Sequence, residues 1–92
     1  MIYPAILKEA GDSWIVTFPD LPDATASGAS REEAMQMAPE ALQTAIEFYL
    51  DDQRAVPQPS KVAPGQEPVE LAQDVAMKVL LMNAFVNPKS SS

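Results

Sequence analysis

Two aspartates stand three residues apart in "FPDLPD", Asp20 and Asp23, and two glutamates bracket "EPVE", Glu67 and Glu70. Carboxylates at such positions could hold divalent cations, and a pair of Mg²⁺ ions held that way clamps both oxygens of an in-line displacement. The chain offers little to any other chemistry. It contains no histidine and no cysteine, which removes the commonest general base, the thiolate nucleophile and the usual transition-metal ligands. Serines and threonines are present, but no imidazole can activate them. The competing reading of "FPDLPD" is a turn, because Asp accepts from nearby backbone N–H groups while proline fixes chain direction. That reading weighs most for Asp20, and Asp23 has the better claim to face a partner. No catalytic residue, metal or cofactor is expected.

These acids must be positioned by the surrounding elements. "MIYPAILKEA" and "SWIVTFP" read as two strands joined at Ala10-Gly11-Asp12. Tyr3, Ala5 and Leu7 share one face of the first strand and Ile2 and Ile6 the other, so at least one strand is expected to be covered on both sides. Pro4 cannot donate to a ladder and belongs at a strand start or facing outward. Trp14, Val16 and Phe18 share a face in the second strand, and Trp14 is expected in the core. Asp20 and Asp23 then fall in the loop after it, before a weak third strand at "ATAS". "SREE", Ser30 to Glu33, is a capping box that opens a helix running to about Asp52. Its apolar side is centred on Ala34, Ala38, Ala41, Ala45 and Phe48, flanked by Met37, Leu42 and Tyr49. Pro39 is expected to kink this helix without dividing it.

"RAVPQPSKVAPGQ" is a surface connection, and "EPVEL" a fourth strand at an edge. Asp74 is expected to cap a last helix, "VAMKVLLMNAFV", ended by Asn87-Pro88. Only Lys78 and Asn83 interrupt its apolar surface, so it must be buried or meet a partner. Met77, Leu81 and Phe85 are the expected oligomer interface, as a homodimer or higher homo-oligomer. The order is β-β-β-α-β-α.

At 92 residues the chain makes one domain. Thirteen acids against six bases give a net charge of −7, which repels phosphate backbones and favours a basic protein partner. No segment approaches the ~20 apolar residues that span a bilayer, and the N-terminus lacks the basic and apolar regions of a signal peptide. A soluble, cytoplasmic protein without membrane contact is expected.

With these residues placed, the chain resembles the antitoxin of HicAB toxin–antitoxin systems, specifically the N-terminal domain of HicB. The landmarks are the "YPA" strand from Tyr3, "W.V.FPDLP" at Trp14 to Pro22, Gly28, "EEA" at Glu32 to Ala34 and "KVLLMNAF" at Lys78 to Phe85. The resemblance implies an α+β, degenerate ribonuclease H-like fold, with three antiparallel strands, a crossover helix and a fourth strand beside the first. It also implies a partner, the HicA toxin, a small basic ribonuclease whose active site HicB covers. Residues 1–86 are then the toxin-binding domain and 87–92 a disordered tail, with the C-terminal DNA-binding domain of the family absent. Operator DNA is a partner only if the native protein carries such a domain.

A ribonuclease H site would draw acids from the first strand, the crossover helix and the fourth strand. Here "IYPAIL" has none, and the helical acids lie on the polar face. The chain is expected not to be an enzyme, and Asp20, Asp23, Glu67 and Glu70 are its candidate toxin contacts. The alternative is a stand-alone oligomeric scaffold or ligand-sensing module on the same fold, without a toxin partner.

Overall fold

In the computed structural model, which describes residues 1–86, strands β1 (Ile2–Ala10), β2 (Ser13–Phe18) and β3 (Leu21–Gly28) precede helix α1 (Arg31–Asp51). Strand β4 (Glu67–Glu70) and helix α2 (Gln73–Val86) follow. The four strands form one antiparallel sheet in the order β3-β2-β1-β4. This is the expected α+β arrangement, with the fourth strand beside the first. The expected disordered tail, 87–92, and the Asn87-Pro88 stop lie outside the described residues.

The first hairpin sets the register of the whole sheet. Ala10 pairs with Ser13 across Gly11-Asp12, and Gly11 has φ +62°. A two-residue loop with glycine at positive φ in its first position matches the twist of the flanking strands. Its closing pair exchanges backbone hydrogen bonds, and alternation then points the backbone groups of Ile15 and Thr17 at β1 and those of Trp14 and Val16 at β3. The same alternation resolves the two prolines. Pro4 lies directly opposite Pro68. Neither can donate, so this is a non-hydrogen-bonded pair, and the bonds fall on Tyr3 with Val69 and on Ala5 with Glu67. Pro4 is therefore inside a strand and fully buried, rather than at a start or facing outward. Its nitrogen points toward β2, where the β1–β2 ladder has already ended at Ile6 and Thr17.

One contiguous core joins Tyr3, Ala5, Val16, Phe18 and Leu21 of the sheet to Ala34, Ala38, Leu42 and Ile46 of α1 and to Val75 and Val79 of α2. Fully burying each large apolar side chain contributes about 1.5–3 kcal/mol. Trp14 is half-buried against this core rather than inside it. Tyr3, Pro4 and Ala5 are successive and all buried, as expected for a strand covered on both sides.

The entry to α1 follows the capping box with one change. Ser30 accepts from the Glu33 N–H at 3.1 Å, but the Glu33 carboxylate reaches past Ser30 to the Ala29 N–H at 2.9 Å. Gly28 is needed just before it: a Cβ there would lie 2.5 Å from the Ala34 amide nitrogen. The helix is continuous through Pro39. Its packed stripe is Ala34, Ala38, Leu42, Ala45 and Ile46, rotated from the expected Ala34–Phe48 line. Ala41 is only half-buried, and Phe48 is exposed, because that side of α1 lies along the edge strand β3 and overhangs it. Helix α2 begins at Gln73, with Ala72 accepting the first helical bond, so Asp74 lies in the first turn rather than at the cap.

Candidate functional site

Strand β3 is longer than "ATAS". A two-residue turn, Pro19-Asp20, pairs Phe18 with Leu21, and an irregularity follows before Thr25 pairs with Thr17. Asp20 therefore sits in a tight turn and Asp23 within a strand, not together in a loop. Their surroundings differ accordingly. Both carboxylate oxygens of Asp20 are occupied, one accepting from the Ser60 N–H at 2.8 Å and the other from the Ser60 hydroxyl at 2.6 Å. This clamp holds the 53–66 connection against the β2–β3 turn. Asp23 is exposed, with no hydrogen bond or ion pair among the described residues.

The two glutamates both lie in β4. Glu67 pairs with Arg31 at 3.0 Å, an exposed contact worth about 0–1 kcal/mol that ties β4 to the start of α1. Glu70 is exposed opposite Ile2. The antiparallel order puts Glu70 and the β2–β3 turn at the same end of the sheet, on opposite edges. Three strand spacings separate those edges, about 14 Å. The four acids therefore do not converge. Among the described residues no three acidic side chains cluster closely enough to hold a metal ion.

Beside β3 the overhang of α1 encloses a groove of about 450 Å³, lined by Asp23, Thr25 and Ser27 on the strand and by Met37, Glu40 and Phe48 among others on the helix. A second, almost wholly apolar surface lies on α2. Met77 is 59% exposed, Leu81 69% and Phe85 80%, an i, i+4, i+8 stripe continuous with Leu50 of α1 and Met82. The three expected interface residues are thus brought together on one face.

Sequence reasoning missed two polar anchors. Asn83, read as an interruption, donates to the Val56 carbonyl at 3.1 Å and accepts the Val56 N–H at 2.7 Å, so α2 holds the connection as a strand would. The Tyr3 hydroxyl donates to the Pro57 carbonyl at 2.8 Å. Burial, with the nearby Asp20 charge, pushes this phenol up to about 12. A polar atom on an otherwise apolar face was the only signal for either. No helix of the described residues is long and apolar enough to cross a membrane.

Comparison with known proteins bears on what these surfaces serve. Residues 2–80 match the family described as the HicB-like antitoxin of bacterial toxin–antitoxin systems. The chain is 41% identical to Antitoxin HicB 2 of Photorhabdus laumondii over 92 residues, all of this chain and 65% of that protein. It is 44% identical over 90 residues to Antitoxin HicB 1 of the same organism, covering 97% of this chain and 57% of the relative. Antitoxin HicB of Escherichia coli K12 is 40% identical over 87 residues, 94% of this chain and 63% of its own. The chain thus spans between 57% and 65% of the length of these curated relatives. The family match, from residue 2 to residue 80, takes in the "YPA" strand, the "FPDLP" turn and the start of the α2 stripe at Met77, and the chain belongs to the HicB-like antitoxin family.

Proposed function

We propose that this chain neutralises a HicA-like, mRNA-cleaving ribonuclease toxin by lying over its active site, in the cytoplasm and without chemistry of its own. The observation that carries the reading is the family match from residue 2 to residue 80. The net charge of −7 supports it, because a basic toxin is drawn to an acidic partner and repelled by another base.

Residues 1–86 form the toxin-binding domain in this reading, on a degenerate ribonuclease H-like framework supported by the strand order β3-β2-β1-β4. Asp20, Asp23, Glu67 and Glu70 supply its acidic rim. They enter on different terms: Asp23 and Glu70 present carboxylates free of partners among the described residues, whereas Asp20 and Glu67 already serve Ser60 and Arg31. The α2 stripe of Met77, Leu81 and Phe85 joins copies of the chain into a homodimer or higher homo-oligomer.

Co-expression with a HicA-like toxin tests the reading. Growth is expected to be restored, and the purified pair is expected to form a complex that weakens as salt rises. Failure of rescue together with no complex at low salt overturns it.

A further inference from the structure

We infer that the groove between β3 and α1 takes an extended segment of a partner protein, in which apolar and basic residues alternate, added to β3 as a further strand. The two sheet edges differ in what they offer such a segment. Strand β4 is four residues long, and Pro68 turns its donorless nitrogen outward, away from β1. Strand β3 is eight residues long and ends the sheet order. Ala26 and Gly28 face Val16 and Trp14 in the hydrogen-bonded positions, so the backbone N–H and C=O groups of Thr25 and Ser27 point away from β2. That row of groups is what a partner strand requires.

Alongside it α1 supplies side-chain recognition. Met37 is 45% exposed and Phe48 63%, both on the flank that overhangs the edge. One face of an added strand would cover them with apolar side chains, while its alternate residues project the other way. The ionisable groups lining the groove are Asp23 and Glu40, both acidic. This charge selects the occupant. A second copy would bring its own Asp23 and Glu40 to the seam, and each chain carries −7. A segment with lysine or arginine between apolar residues brings opposite charge to the seam instead.

The probe is a capped eight-residue peptide of alternating valine and lysine, titrated into the ¹⁵N-labelled chain. Shifts are expected in β3 and along residues 37–48, with slowed exchange at the Thr25 and Ser27 amides. A peptide with glutamate in place of lysine is expected not to bind. Thr25→Pro removes an outward donor that β2 does not use, and should weaken binding about ten-fold or more, roughly one ladder bond with its neighbouring contacts. Phe48→Ser, at an exposed helical position, should weaken it similarly through lost apolar cover. No binding at millimolar peptide, equal binding of the acidic peptide, or shifts confined to β4 or α2 would each overturn the inference. So would a dimer in which Thr25 and Ser27 are already protected, which assigns the edge to a second copy. The assay contains no toxin, so its outcome is independent of the neutralisation test.

Discussion

Asp20 and Asp23 occur in the same six-residue stretch and are the same chemical group, yet the fold gives them different work. Asp20 accepts two hydrogen bonds from Ser60, forty residues away, and so joins Tyr3 and Asn83 in holding the 53–66 connection. Asp20→Ala is expected to cost about 1–2 kcal/mol in urea unfolding, toward the low side for charged acceptors because the pair is exposed. Asp23→Lys should leave stability within about 0.5 kcal/mol, as for most surface substitutions. In a toxin complex it should slow association more than it speeds dissociation, measured by stopped flow at low salt. Tyr3 provides a separate check on the same corner of the molecule. Its phenol is held up to about 12 in the folded chain, chiefly by burial and next by the Asp20 charge, against an ordinary value near 10. Between those values the unfolded chain has lost the proton that the folded chain keeps. The contribution is therefore complete below pH 10 and is lost as pH rises toward 12, a total of roughly 2–3 kcal/mol. The stability advantage of the wild type over Tyr3→Phe should shrink across that window, read from denaturant midpoints at pH 9 and 12.

At the scale of elements, local chemistry was legible and long-range partners were not. The hairpin at Gly11, the Ser30 cap and the span of α1 follow from neighbours a few residues apart, and each forms where those neighbours predict. The packed face of α1 did not follow, because Ala41, Phe48 and Met37 are as apolar as Leu42 and Ile46. Which of them is covered depends on where β3 ends the sheet. The length of β3 was missed for a related reason: "LPD" has poor strand propensity, and its pairing is imposed by the tight turn at Pro19-Asp20. The four candidate acids were readable as charges, but their division between two edges about 14 Å apart is a property of strand order. The C-terminus of α1 carries a strain that substitution can reveal. Gln53 adopts φ +55° just past the helix, a conformation that favours glycine. It persists because the Gln53 N–H reaches the Leu50 carbonyl at 3.1 Å and the Arg54 N–H the Tyr49 carbonyl at 2.9 Å. Gln53→Gly keeps those bonds and removes the Cβ crowding, so it should raise unfolding free energy by about 0.5–1 kcal/mol.

For the whole molecule, the proposed homo-oligomer turns on the balance of apolar and acidic surface. A net charge of −7 on 92 residues opposes self-association at low salt, and screening shortens that repulsion to about 8 Å at physiological ionic strength. The α2 stripe is placed to exploit the difference, since the apolar groove beside Leu81 and Phe85 is lined by one ionisable group, Lys78, and no acid. Two such stripes meeting about a two-fold axis would bury Leu81 near their centre, where Met77 and Phe85 of each copy flank it. Asn83 fixes the helix that bears them by gripping both backbone groups of Val56, so the surface is presented on a rigid support. Oligomerisation through this face should then depend on apolar cover at its middle more than on charge at its rim. Leu81→Glu adds a carboxylate there without touching the buried Val75 and Val79 on the other side of α2. It is expected to give monomers by light scattering with unchanged helical circular dichroism. An assembly that keeps its mass would put the contact between copies on another surface.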